Sequence, residues 1–309
     1  MKEKEFIEII KSVTGSGLIG DDCAYLKDLG IVMTQDNLVE DVHFRREWVT
    51  PYQLGRKAVM VSISDVCASG AKPLYATIGL SLPPDIDAEF IKLFYEGACS
   101  AGVEIVGGDI TGADKIFISV TAIGLTAGRR ISSRAGARIG QKVVVSGEHG
   151  SSAAGLMLLK STPHPSPLPQ GERGFITAHL EPEAQCEFSE RIAANIKEDY
   201  AMMDTSDGLM DALVQIAQAS GNHLSIDFDK IPYDKDLEQF NQYKDLIFYG
   251  GEDYQLVATV PEELAKDFIV IGEVLPLTRP SGTLSRKGRG KSHVEIKNTE
   301  IKGKFYDHF

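Results

Sequence analysis

The sequence predicts an α/β or α+β fold in two domains. Three observations carry that expectation. The chain has 309 residues, enough for two domains with a substantial core. Its first half alternates strand-like and helix-like segments. The same grammar then restarts at "RAGARIGQKVVVSG", a turn followed by a new strand, which sets the boundary near residue 138 and divides the chain into 1–138 and 139–309.

The elements follow in order. "GIVMTQDNLV" reads as a strand. "PYQLGRKAVMVSISDVCASG" reads as a helix, with Thr50 as N-cap, Pro51 as first helical residue and Gly70 as stop. "LYATIGLSL" is a strand. "DAEFIKLFYEGACSAG" is a helix ending near Gly102, and "VEIVGG" and "KIFISVTAIGLT" are strands. The second half places helices at "GSSAAGLMLLK", "PEAQCEFSERIAANIK" and "SDGLMDALVQIAQASG", and strands at "HLSIDFD", "YQLVATV" and "FIVIGEV". Two stretches break the pattern, about 162–174 ("STPHPSPLPQGERG") and about 276–293 ("PLTRPSGTLSRKGRGKSH"). Both are rich in proline, glycine and basic residues, with almost nothing to pack, and are predicted as exposed inserted loops. A binding role toward polyanions is the alternative for the basic one.

Composition narrows the function classes. Hydrophobic residues make up 43% and charged residues 25%, as in ordinary globular proteins, but the net charge is −12. That balance argues against sequence-independent nucleic-acid binding, which needs basic surface. No apolar run approaches the ~18 residues of a membrane-spanning helix, and "MKEKEFIEII" is an amphipathic start unlike a signal peptide. Cys23, Cys67, Cys99 and Cys186 stand apart in sequence without a Cys-x-x-Cys. They suit reduced thiols in a cytoplasmic protein better than a disulfide framework or a zinc site.

The recurring signal is an aspartate beside glycine or serine where an apolar run stops. Asp21 and Asp22 follow Gly20 in a turn, where solvation or capping is the simpler reading. Asp36 interrupts a strand, which disfavours aspartate. Asp65 shares one helical stripe with Leu54, Ala58, Val61 and Ala68, and an ionised carboxylate there costs several kcal/mol unless paired or bound to metal. A structural salt bridge to Arg56, Lys57 or Lys72 is the alternative. Asp109 follows "IVGG", read as a strand ending in a flexible turn. Asp204 and Asp207 flank Thr205 and Ser206 at a helix start, where Ser206 or Asp204 could cap and where free amides face anions. An EF-hand is excluded because Gly208 is out of register.

Together these sites share one form. Hard carboxylate oxygens without a Cys or His cluster select Mg²⁺ over zinc or copper, and magnesium is usually completed by substrate phosphates. Mg²⁺ and a nucleoside triphosphate are therefore the expected partners. The Walker A lysine and the protein-kinase signatures are absent. "GEHGSSAAGL" reads either as a strand-to-helix phosphate loop or as a plain tight turn.

At this point the motifs carry a family likeness. "GLIGDDCAYL", "TQDNLVEDVHF", "SISDVCASGAKP", "IVGGDITG", "ISSRAGARIGQ", "GSSAAGL", "DTSDGLMDAL", "GGEDYQL" and the terminal "YDHF" follow one another as in thiamine-monophosphate kinases. The chain thus resembles that family of the aminoimidazole ribonucleotide synthetase-like superfamily over nearly its whole length, except the two loops. The resemblance implies ATP-dependent phosphorylation of thiamine monophosphate to thiamine diphosphate by direct in-line transfer. It also implies a homodimer in which the N-terminal sheets of two subunits join into a barrel. Residue by residue, it implies Mg²⁺ at Asp22, Thr34, Asp36, Asp65, Asp109, Asp204 and Asp207, nucleotide contacts at Gly108, Asp109, Arg134 and Ser206, and substrate contacts at His43, Glu252 and Tyr306. Asp207 and Arg134 carry the catalytic role. His43 is read as a phosphate contact, because an acceptor that is already a phosphate oxygen needs no strong base.

Three positions depart from the family pattern: Gln35 for threonine, Ser62 for asparagine and Phe305 for glycine. Sibling enzymes fit less well. Selenophosphate synthetase needs a reactive residue in a glycine-rich N-terminal loop, and the hydrogenase-maturation dehydratase ends in cysteine where this chain ends in Phe309. Aminoimidazole ribonucleotide synthetase and a non-catalytic Mg²⁺/nucleotide-binding regulator are the remaining readings.

Overall fold

Alternating burial along the first half builds one sheet, and short strands, buried at the centre of the layer, build a second. The computed structural model describes residues 3–161, 170–277 and 293–299. After α1 (Glu3–Thr14) come β1 (Ala24–Leu26), β2 (Ile31–Val39), α2 (Pro51–Ala68), β3 (Lys72–Leu82), α3 (Ala88–Ser100), β4 (Glu104–Gly112) and β5 (Phe117–Leu125). The strand order is β1-β2-β5-β3-β4. Only β3 and β4 run parallel, joined by α3, and the other neighbours are antiparallel. The second half holds β6 (Lys142–Val145), α4 (Ser151–Lys160), α5 (Gln170–Leu180), α6 (Cys186–Ala193), β7 (Met202–Asp204), α7 (Leu209–Ser220), β8 (His223–Asp227), α8 (Tyr243–Tyr249), β9 (Leu256–Val260), α9 (Glu262–Ala265), β10 (Ile269–Leu275) and β11 (Val294–Lys297). Its sheet runs β11-β8-β10-β6-β9-β7.

The helix α2 positions the site. Thr50 and Gln53 form a full capping box and Pro51 opens the helix, as its sequence dictates. It packs on α3 where Gly97 comes against it: a Cβ on Gly97 would sit 1.9 Å from the Tyr52 carbonyl oxygen. On the far side it meets β7 and α6. One apolar cluster takes Ile63, Ile78 and Val120 from the first half together with Tyr200, Met202 and Ala258 from the second. A helix buried nearly all round, not an amphipathic surface helix, joins the two halves.

Several expectations change. The strand expected to stop at "VEIVGG" runs through Gly108 and Asp109 to Gly112. Glycine is required at 108 because a Cβ there would lie 1.9 Å from the Ile78 oxygen of the adjoining strand. The helix expected from Ser206 begins at Leu209, with no side chain capping it. The helix expected over "PEAQCEFSERIAANIK" is the shorter α6. The loop expected over 162–174 is helical from Gln170, because Phe175 is buried and the bare Gly155 lets the α5 backbone approach α4. Residues 162–169, 278–292 and 300–309 lie outside the described residues. Within one chain the first sheet is open, not a barrel. Its edge strand β4 leaves Val106 and Ile110 exposed, and the second subunit of the expected dimer barrel is not part of the structure. The four cysteines are free, yet Cys67 and Cys186, distant in sequence, bring their sulfurs to 2.6 Å. No described helix is long and apolar enough to cross a membrane.

Candidate active site

The carboxylates converge where α2 crosses between the sheets. On β2, Thr34, Asp36 and Leu38 share the face toward α2 because strand side chains alternate. Thr34 Oγ1 donates to Asp65 Oδ2 at 2.6 Å. The neighbouring Ser64 donates to Asp204 Oδ2 at 2.8 Å, and Ser206 Oγ donates to Asp204 Oδ1 at 2.8 Å. Asp22 arrives from the turn after Gly20 and accepts from Arg134 Nη2 at 2.6 Å, while Arg134 Nη1 reaches Gln215 at 2.5 Å. One carboxylate oxygen each of Asp22, Asp65 and Asp204 lies within 4.8 Å of the others.

These acids are short of positive charge. Burial pushes the Asp22 carboxyl up to about 7 despite the Arg134 guanidinium beside it. Burial takes Asp36 up to about 6, against a hydrogen bond from Ser62 and aided by the charge of Asp204. Asp65 is driven well above the usual carboxylate range by burial and then by Asp36, Asp204 and Asp22, and Asp204 is raised by burial. Asp36 Oδ2 is buried with no hydrogen-bond partner. The salt bridges considered for Asp65 do not form with Arg56 or Lys57: Arg56 pairs with Glu183, and Lys57 with Glu252.

A second cluster is nearly charge-balanced. The Lys57 ammonium donates to Glu252 Oε2 at 2.6 Å and to the His179 carbonyl at 2.8 Å. Glu252 has φ +63° and donates its N–H to the Ser206 carbonyl at 2.7 Å, tying it to the acid cluster. Burial works to raise its carboxyl, but Lys57, His179 and His43 hold it below the usual range. His43 Nδ1 accepts from the Val39 N–H at 3.0 Å, so the neutral ring carries its proton on Nε2.

Comparison with known proteins now decides the family. Residues 20–126 match the model of the AIR synthase related protein N-terminal domain, and 138–284 match that of its C-terminal domain. The chain is 38% identical to the thiamine-monophosphate kinase of Aquifex aeolicus, covering 87% of this chain and 89% of that one. It is 33% identical to the thiamine-monophosphate kinase of Bacillus subtilis, covering 94% and 93%. The chain belongs to the thiamine-monophosphate kinases. These are phosphotransferases of the AIR synthase-related superfamily. Among solved structures, AaThiL complexed with AMPPCP and TMP superposes with a TM-score of 0.86 at 34% identity, covering 100% of this chain and 97% of that one. A hydrogenase maturation protein HypE in complex with ATP, at 21% identity and a TM-score of 0.63, shares the fold.

The remaining positions of this thiamine-monophosphate kinase family member lie as follows. Gly108 falls in the same cross-sheet row as Asp36, through Val120 and Ile78, so alternation turns Asp109 to the opposite face, where it is exposed. Asp207 sits half-buried in the turn before α7, outside the group of three acids. Tyr306 lies outside the described residues. Gln35 faces away from the acids and accepts from Thr121, whereas Ser62 is buried beside Asp36. Amides of Gly150 and Ser152 both donate to the Asp253 carboxylate, at 2.7 and 2.9 Å, which supports the tight turn over a phosphate loop at "GEHGSSAAGL". Sequence reasoning missed Ser64, His179 and Asp253, and gave Lys57 only a structural role. For Lys57 a signal existed: Lys57, Val61 and Asp65 recur at four-residue steps on one helix face.

Proposed function

We propose that this chain transfers the terminal phosphoryl group of ATP directly to the phosphate of thiamine monophosphate, yielding thiamine diphosphate and ADP. The observation that carries this reading is the group of buried carboxylates with Arg134 as the cation paired into it. Likeness to a chain solved with AMPPCP and TMP supports the two substrates. The donor set is all hard oxygen and the Asp36 carboxylate keeps an unpartnered oxygen, so the residues fit Mg²⁺. Asp22, Thr34, Asp36, Asp65 and Asp204 would hold it, with Asp207 joining from the turn before α7, whereas Asp109 stands on the opposite face of the first sheet, outside this set. When bound, Mg²⁺ supplies positive charge to the phosphates during transfer.

The chain's own residues do the rest. Arg134 offers a planar donor fork to phosphate oxygens, and Ser206, Gly108 and Asp109 complete the nucleotide contacts. His43 presents its Nε2–H to the acceptor phosphate, while Glu252 and Tyr306 hold the thiamine moiety. The acceptor oxygen is already anionic, so positioning and charge stabilisation replace general-base chemistry. The two functional units are 1–138 and 139–309. A second copy pairing through the exposed β4 edge closes the first sheet into a dimer barrel, which light scattering at micromolar concentration would register as twice the monomer mass. The deciding experiment supplies ATP, Mg²⁺ and thiamine monophosphate to the purified protein. Thiamine diphosphate and ADP are expected in equal amounts, and folded protein that forms neither overturns the reading.

A further inference from the structure

Lys57 has no role in the chemistry described so far, yet its placement is demanding. Its side chain is 3% exposed, and a lysine is rarely buried unless paired. Two of its three N–H donors are used, one on Glu252 and one on the His179 carbonyl. His179 is held in turn, its Nδ1 lying 3.0 Å from Ser152 Oγ. Glu252 has a left-handed backbone that a side-chain-bearing residue keeps only where its surroundings over-determine it. Lys57 comes from the first half and Glu252 from the second.

The same helix carries the acid cluster. Lys57 and Asp65 are eight residues apart on one face of α2, about 12 Å along the axis at 1.5 Å per residue. Ser64, next to Asp65, grips Asp204 of the second half. Among its contacts with the C-terminal half, this one helix therefore reaches both the acids and Glu252.

We propose that Lys57 is a positioning residue that fixes the Glu252 carboxylate at a set distance from the acid cluster and so determines affinity for the phosphate-accepting substrate. The proposal rests on the reading of Glu252 as a contact to thiamine monophosphate. The ion pair holds the carboxylate ionised and aimed at the cationic, amine-bearing acceptor.

Steady-state kinetics of Lys57→Met, Lys57→Arg, Glu252→Gln and the double variant test it. Lys57→Met should raise KM for thiamine monophosphate by ~10-fold or more, the scale on which loss of a supporting hydrogen-bond partner acts. KM for ATP should stay within about twofold and kcat within about threefold, the signature of lost binding without lost chemistry. Lys57→Arg should recover most of the affinity. In the Glu252→Gln background, Lys57→Met should add little, because both act through one contact. The double variant removes both charges and keeps the test alive if Lys57→Met alone does not fold. An equal loss for both substrates, or additive effects in the double variant, overturns the proposal as a mere structural strut. An effect of Glu252→Gln without one of Lys57→Met overturns it while sparing the reading of Glu252. No effect of Glu252→Gln removes that reading and the proposal with it.

Discussion

The two buried clusters that α2 connects are alike in burial and opposite in charge balance. At one end, Asp22, Asp36, Asp65 and Asp204 crowd together with Arg134 bound to Asp22, and their carboxyls are all raised. At the other, Glu252 pairs with the Lys57 ammonium and is held ionised. The difference teaches how to tell an ionised charge held by the chain from one that still needs a counter-charge. A balanced cluster keeps its carboxylate ionised without help from outside the chain. An unbalanced cluster must bind protons or a cation, and hard carboxylate oxygens suit a hard divalent cation.

The largest expected effect separates the two ends. Asp65→Asn should lower kcat/KM by at least ~100-fold, since loss of even an outer-shell partner at a metal site costs 10–100-fold. Without metal the same substitution should stabilise the fold, because each unit by which a carboxyl is raised corresponds to ~1.4 kcal/mol of strain at high pH. Parallel assays and urea melts decide it. A loss of ~3–5 kcal/mol would instead mark a buried salt bridge.

Magnesium sharpens the comparison next. Saturating Mg²⁺ at about 100 times its dissociation constant should stabilise the wild type by ~2.7 kcal/mol and leave Asp65→Asn nearly unchanged. Thermal melts with and without chelator measure the shift. Equal stabilisation of both proteins would place the ion elsewhere.

Acid should move the two ends in opposite directions. His179 of the balanced cluster and His149, buried in the turn before α4, are both lowered to about 4, chiefly by burial, so they stay neutral in the fold while the unfolded chain protonates near 6.5. Their contribution is present above pH 6.5 and is lost as pH falls toward 4, by as much as ~3 kcal/mol each. Asp22, raised to about 7, behaves oppositely: its folded form favours the proton, so metal-free protein gains stability from it as pH falls below 7. Replacing His149 by Leu should therefore leave a metal-free protein whose stability rises more on acidification than that of the wild type. Urea midpoints from pH 7 to 4 test this.

The smallest effect concerns the turn beside the balanced cluster. Asp253→Ala frees the amides of Gly150 and Ser152 at the start of α4 and should cost about 1 kcal/mol, seen as a lower urea midpoint at unchanged slope. A gain of ATP affinity in that variant would show that the freed amides can take a phosphate.

Much of this was legible in the chain. The Thr50–Pro51 helix start, the alternating strands around Asp36 and the ordered aspartate motifs are local signals, set by capping, period and turn chemistry within a few residues. The stretch after Pro163 misled because proline-rich composition argued for loop through Gly174, while burial of Phe175 against α4 extends the helix back to Gln170. Asp109 misled because two glycines suggested a turn, whereas strand pairing with β3 carries the chain straight through them. From the sequence alone came the two-part α/β organisation, the family likeness and the acids that deserve a metal. Only the tertiary structure decided which charges meet. Asp65 found Thr34 and not a lysine, Lys57 found Glu252, and Asp204 found Ser64, each across more than a hundred residues or from a different element. Periodicity shows which face of an element turns inward, but the partner on the other side is chosen by how the two halves pack around α2.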